Sequence, residues 1–330
     1  MRSTRKPSRR SMLAATFGGI AAAAAALPAQ AQEGYPSRPI RIVIPTPAGG
    51  GLDGTVRAVA EKLQAAWKQP VVVESRAGGN GAIAYNAVAN AAPDGYTVLV
   101  SLSSLVQTPL LSKTPTFKID DLAPVSLVAL LPNGFAVGKG VPADNLEQFV
   151  RWARQQPQGV TYGSSGAGSS GNIMGGTLAQ LAGLNMLHVP FKGEVPVIQA
   201  MLGGEIQGAM AAPGSLAAHA KSGAIKLLAV ALPNRLRDYP DVPTFGELGY
   251  PAVNLSGWSM ALVPKGTPQP LVDKLAAEIS RIVRLPDVAA RIHGYGFQPE
   301  GGTPDAARAF VADETRRWGA AIKAANIQID

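Results

Sequence analysis

Ile40 to Gln64 reads IRIVIPTPAGGGLDGTVRAVAEKLQ, and its two halves carry different periodicities. Ile40, Ile42, Val43 and Ile44 form a short β-branched run that predicts a strand, whereas Val56, Val59, Ala60 and Leu63 recur at helical spacing. Between them lies a glycine turn, with the helix expected to begin near Asp53 or Gly54. The first amides of such a helix have no internal acceptor and carry a partial positive charge, so they attract anions. Gly49, Gly50 and Gly51 have no Cβ, so a ligand can come close to the backbone.

Three anions are compatible with a turn of this kind. Gly49 and Gly54 have the spacing of a P-loop, but Thr55 and Val56 stand where lysine and hydroxyl are required. Gly49, Gly51 and Gly54 satisfy Gly-x-Gly-x-x-Gly, and Glu74 follows the next strand, Val71–Val73, as the ribose-binding acid of a dinucleotide site would. An exported NAD(P)-binding oxidoreductase is therefore the alternative reading. Against it, Pro45 and Pro47 separate the strand from the glycines. The third anion is a carboxylate, which needs only amides and hydroxyls.

Moving outward, AGGNGAIAYNAVANAAPDGYTVLVS adds a second glycine turn, a helix and the strand Tyr96–Val100, a βαβ pattern that implies parallel pairing. Val125–Leu130 and Phe135–Val137 are expected strands and Leu146–Arg154 an expected helix. After the strand Val160–Tyr162 comes GSSGAGSSGNIMGGTLAQLAG, again a Gly/Ser turn before a helix, with Met174, Leu178 and Leu181 on one face. Two further helices, Pro270–Arg284 and Pro304–Ala325, end the chain.

Composition narrows the function. The 330 residues, 46% of them hydrophobic, suffice for two packed domains. Residues 1–31 have the form of an export signal: Arg2, Arg5, Lys6, Arg9 and Arg10, an apolar run from Met12 to Leu27, then Ala29-Gln30-Ala31. Ser8-Arg9-Arg10-Ser11-Met12-Leu13 resembles a twin-arginine signal. Cleavage near Ala31 would leave a soluble periplasmic protein with 25 basic residues against 22 acidic ones, so the formal charge of +8 is mostly targeting. Nucleic-acid binding thereby loses its electrostatic support. The absence of cysteine excludes disulfides, thiolate metal sites and a cysteine nucleophile. His188, His219 and His293 share no ligand spacing, and Gly163-Ser164-Ser165-Gly166-Ala167 lacks the last glycine of a nucleophile elbow. The residues supply binding groups and no reacting set, so neither an enzyme nor a bound cofactor is expected.

Seven stretches, taken in order, resemble the Bug receptors, the substrate-binding proteins of tripartite tricarboxylate transporters. They are YPSRPIRIVIPTPAGGGLDGTVR, VVVESRAGGNGAIAYNAVANAAPDGYTVLVS, TYGSSGAGSS, HVPFKG, KSGAIKLLAV, YPDVPTFGELGY and GWSMALVPKGTP, running from Tyr35 to Pro268, and the match as a whole covers about Tyr35 to Ala325. The resemblance implies a two-lobed α/β periplasmic binding protein of the type II kind. Each lobe would be a mainly parallel sheet flanked by helices. Residues 32–132 and 258–330 would form one lobe and 133–257 the other, with the hinge crossed twice. A monomer would close on a small carboxylate and deliver it to a membrane complex of one large and one small subunit.

Carried over by position, the resemblance places the ligand against Thr46, Pro47, Ala48, Gly49, Gly50, Gly51 and Asp53 of the first turn. Facing them would be Ser164, Ser165, Gly166, Gly168, Ser169 and Ser170 of the second, with Ser103 and Ser104 as a third wall. The sequence departs from the family at Asn172, where histidine is usual, at Ala211, where many members have aspartate, and at Gly176, often acidic. An apolar Ala211 wall would favour a dicarboxylate, or a carboxylate with apolar or aromatic parts, over a zwitterionic amino acid.

Overall fold

The computed structural model describes residues 34–325 and 327, so the expected export signal and its cleavage site lie outside the described residues. Residues 34–37 belong to a short N-terminal unit in which the Tyr35–Pro36 peptide bond is cis. The remainder, from Arg38 onward, is one compact unit.

Its first elements follow the βαβ pattern: β1 (Ile40–Ile44), α1 (Gly51–Trp67), β2 (Val71–Ser75), α2 (Ala82–Ala89), β3 (Thr97–Leu102), α3 (Ser104–Leu111) and β4 (Leu122–Leu131). Leu52, Val56, Val59, Ala60 and Leu63 form the buried stripe of α1. The helix stops at Lys68, which takes the left-handed conformation and donates to the Gln64 carbonyl. Next come β5 (Asn133–Gly138), α4 (Leu146–Arg154), β6 (Val160–Ser164), α5 (Ser170–Ala182), β7 (Met186–Pro190), α6 (Glu194–Leu202), β8 (Gly208–Ala211), α7 (Pro213–Lys221) and β9 (Ile225–Ala231). The last part comprises β10 (Gly257–Pro264), α8 (Gln269–Val283), α9 (Pro286–Gly294), β11 (Gln298–Pro299) and α10 (Pro304–Ala325).

The strands form two sheets, ordered β11-β4-β10-β3-β1-β2 and β7-β6-β8-β5-β9, one per lobe of a two-lobed α/β fold. Apart from β11, the two repeat a single plan. A parallel trio has its chain-first strand in the middle (β2-β1-β3; β7-β6-β8), then an antiparallel strand (β10; β5), then a last strand (β4; β9). The sheets are thus mixed rather than mainly parallel. In each, the antiparallel strand is the one by which the chain enters from the other sheet, after Pro132 for β5 and after residues 232–256 for β10. All eight residues of β10 are buried, as its central place demands. The C-terminal helix α10 reaches back to the second sheet's helices, with Thr177 Oγ1 3.4 Å from the Ala321 carbonyl.

This plan positions the site. In open α/β sheets ligands bind outside the carboxyl ends of the strands, where successive connections leave to opposite sides. Here those points are the ends of β1 and β6, each followed by one of the two glycine turns.

Candidate functional site

In the first turn, Pro47, Ala48, Gly49 and Gly50 are exposed. Gly49 has φ +90°, and its amide donates to Asp53 Oδ2 at 2.9 Å. Asp53 is 5% exposed and also accepts from Arg57 Nε at 2.9 and 3.0 Å. The Arg57 hydrogen bond holds the Asp53 carboxyl below the usual carboxylate range; burial opposes this and the Gly49 amide supports it. Asp53 therefore braces the turn and offers no free anion to the cleft. The first helical hydrogen bond of α1 runs from Gly54 N to Gly50 O at 3.0 Å, and Gly50 supplies no side-chain cap. The amides of Gly51, Leu52 and Asp53 accordingly lack partners among the described residues, as does the buried Thr46 Oγ1. A Cβ on Gly54 would lie 2.0 Å from the Tyr295 hydroxyl, and one on Gly51 2.9 Å from the Phe297 ring. Both glycines let the loop before β11 pack onto the start of α1.

The second turn turns its hydroxyls both inward and outward. Ser164 is fully buried, with Oγ 2.7 Å from His188 Nε2, 3.0 Å from the Gly166 carbonyl and 3.0 Å from Ser169 Oγ. Ser169 caps α5, accepting from Asn172 N at 3.3 Å. The Asn172 side chain accepts from Gly168 N at 3.0 Å and donates to Tyr162 Oη at 3.4 Å. Ser164, Ser169 and Asn172 thus hold the loop together from within. Gly166 (φ +151°) and Gly168 (φ +70°) permit its shape. Ser165 is exposed, and Ser170 opens α5 with its amide unpaired among the described residues.

Ser164 and His188 form a serine–histidine pair that no sequence spacing announced. Burial pushes the His188 pKa down, but the hydroxyl is sealed inside the loop and is not presented to a substrate. Its role is structural.

On the third wall, Ser104 Oγ is 2.6 Å from Tyr85 Oη, and Ser103 is 6% exposed. The residue that sequence reasoning missed there is Gln107. It is 5% exposed, and its Nε2 donates to Ser170 Oγ at 2.9 Å and lies 3.4 Å from Ser103 Oγ. One amide group thus joins the first lobe to the start of α5 at the second turn.

Ala211 requires a correction. It is fully buried at the end of β8, in an apolar cluster with Val197, Ile206 and Leu216, so it is a core residue and not a face of the cleft. Glu74 is likewise engaged, accepting from Arg76 Nε at 2.6 Å and from Arg41 Nη1 at 3.4 Å. Beside the turns lies a groove of about 1240 Å³, lined by α7, β9 and the Tyr295–Phe297 loop, with Lys221, Tyr239 and His293 at its walls. It shares that loop with α1.

Residues 55–327 match the family described as tripartite tricarboxylate transporter family receptor. The chain is 33% identical over 307 residues to protein BugT of Bordetella pertussis, covering 92% of this chain and 94% of that one. A protein of R. palustris solved with adipate superimposes with a TM-score of 0.76 at 27% identity, over 89% of this chain and 99% of its own. MatC of Rhodopseudomonas palustris, solved with bound malate, gives 0.71 at 28%, over 87% and 100%.

Proposed function

Because this chain belongs to the tripartite tricarboxylate transporter receptor family, and is a solute receptor rather than an enzyme, we propose that it takes one small carboxylate between its lobes in the periplasm. It then hands that ligand to the membrane subunits of such a transporter. The carrying observation is the pair of strand-to-helix turns at the ends of β1 and β6, one leaving the amides of Gly51, Leu52 and Asp53 open and the other the start of α5. A carboxylate needs such donors and no cation, since a helix start contributes about 0.3–1 kcal/mol toward an anion beyond the hydrogen bonds themselves.

In this reading Thr46, Gly50 to Asp53, Ser103, Ser165 and Ser170 face the ligand, the first turn through its backbone. Asp53, Ser164, Ser169 and Asn172 keep the two turns in shape. The lobes are residues up to Pro132 together with 258 onward, and residues 133–257, with the end of α10 laid across the second. They move as bodies about the two crossings, and the protein works as a monomer after cleavage near Ala31. The adipate and malate bound to the two structural relatives are small carboxylates, the ligand class proposed here. A nucleotide has no comparable support, because Glu74 is paired with arginines and Gly54 serves packing against Tyr295.

The test is mass spectrometry of the small molecule released on denaturing protein purified from its native host, followed by titration of that compound. A carboxylate that rebinds is the expected result. A nucleotide, a sugar or a cationic ligand without a carboxylate refutes the proposal.

A further inference from the structure

Glu194 opens α6, and among the described residues no lysine, arginine or histidine comes within 4.0 Å of its carboxylate. One oxygen accepts from the Ala212 amide at 3.0 Å and the other from the Ser215 hydroxyl at 2.7 Å. Ala212 immediately precedes α7 and has no side-chain cap to give. The start of α7, which would otherwise draw a ligand anion, therefore already holds an anion belonging to the protein.

Three contacts place this group beside the cleft. Gly193 N lies 3.3 Å from the Ser165 carbonyl, which ties the start of α6 to the second turn. A Cβ on Gly214, in the first turn of α7, would come 2.9 Å from Gly296 Cα, so the two lobes touch there backbone to backbone. The neighbours of Gly296, Tyr295 and Phe297, cover Gly54 and Gly51 at the open end of α1. The starts of α1 and α7 thus come from opposite lobes to the same short loop, the first with the amides of Gly51, Leu52 and Asp53 open and the second with a carboxylate already on the amide of its cap residue Ala212.

We propose that Glu194 reads the end of the ligand remote from its bound carboxylate, selecting a monocarboxylate with a hydrogen-bond donor at that end over the dicarboxylate of equal length. The inference rests on the binding site proposed above. An ionised carboxylate only accepts, and Glu194 uses one contact at each oxygen, leaving lone pairs for a ligand hydroxyl or ammonium. A second ligand carboxylate meets like charge there. This reverses the preference expected from Ala211, which lies in the core.

Three proteins test it by calorimetric titration: wild type, Glu194→Gln and Ser215→Ala. The ligands are acids matched in length: succinate, 4-hydroxybutyrate and 4-aminobutyrate; glutarate with its 5-hydroxy and 5-amino counterparts; adipate with its 6-hydroxy and 6-amino counterparts. Wild type is expected to bind a hydroxy or amino acid at least tenfold more tightly than the matching diacid. Glu194→Gln, which keeps the shape and the acceptor for Ala212, is expected to shrink that ratio at least tenfold. Ser215→Ala, which loses a hydrogen bond but keeps the charge, retains the wild-type order. A wild-type preference for the diacid overturns the proposal, and so does an unchanged ratio in a folded Glu194→Gln protein. Binding of none of the nine acids to wild type overturns this proposal and leaves the carboxylate-receptor reading to the released-ligand experiment above, which alone can sink it.

Discussion

Replacing Gly50 with valine separates ligand recognition from folding. Gly50 has φ −82° and ψ 173°, an extended conformation open to any residue, and the nearest heavy atom to a Cβ there is the Pro47 carbonyl at 4.0 Å. Valine therefore fits the unliganded turn without strain. Loss of glycine freedom in the unfolded chain stabilises by about 0.4–1 kcal/mol, so the unliganded melting temperature stays level or rises by roughly 1–3 °C. The ligand, however, is expected to approach this backbone directly. At a hundred times Kd it adds about 2.7 kcal/mol of stability, a shift of roughly 5–10 °C at about 2–4 °C per kcal/mol. A hundredfold loss of affinity at the same concentration leaves only about 0.4 kcal/mol, a shift of roughly 1 °C. Thermal denaturation of both proteins with and without the released carboxylate reads both quantities. A folded Gly50→Val protein that gains the full shift refutes the placement of the ligand at this turn. Gly49→Val is the poorer experiment, because φ +90° strains any β-branched residue by about 1–3 kcal/mol and mixes the two effects.

Gln107→Leu removes the amide joining Ser103 and Ser170 across the lobes; titration should show affinity reduced by up to about tenfold, the value of one net hydrogen bond, and unchanged affinity contradicts an interlobe role. Glu314, 3% exposed, accepts from Trp258 Nε1 at 2.9 Å and Trp318 Nε1 at 2.8 Å. Glu314→Ala orphans both indoles at about 1–3 kcal/mol each, in part offset by removing a buried carboxylate, and calorimetry should record a fall of roughly 5–10 °C. Burial lowers the His188 pKa, so the folded protein favours the neutral ring; that stability is whole above the unfolded value of about 6.5 and declines as pH falls below it. His188→Asn should flatten the melting-temperature profile between pH 7 and 5, and a profile identical to wild type assigns the decline to other groups.

The first turn was legible because strand and helix periodicities meet at its glycines within a few residues, and the same holds for the turn after β6. The direction of individual side chains was not. Ser164 and Ser165 are adjacent and chemically alike, yet one is sealed against His188 and the other exposed, a difference set by the loop path that Gly166 and Gly168 allow. Asn172 sits at a site position but closes hydrogen bonds within its own loop. Gln107 left no local trace, since its partner is 63 residues away. Gly176 has a packing reason: a Cβ there would come 3.0 Å from Ala325 Cβ, where the end of α10 crosses α5. The short helix α9 carries only Val288 and Ile292 as buried residues, too few for a clear helical period, and the insertion of β10 between β3 and β4 depends on the chain returning from the other lobe.

A crystal structure of the protein with its released carboxylate tests the central claim most directly. The account predicts carboxylate oxygens at hydrogen-bond distance, about 2.7–3.2 Å, from the amides of Gly51 to Asp53, with Ser170 closing from the other lobe. A ligand found instead in the groove between Lys221, Tyr239 and His293, with the α1 amides facing water, contradicts it.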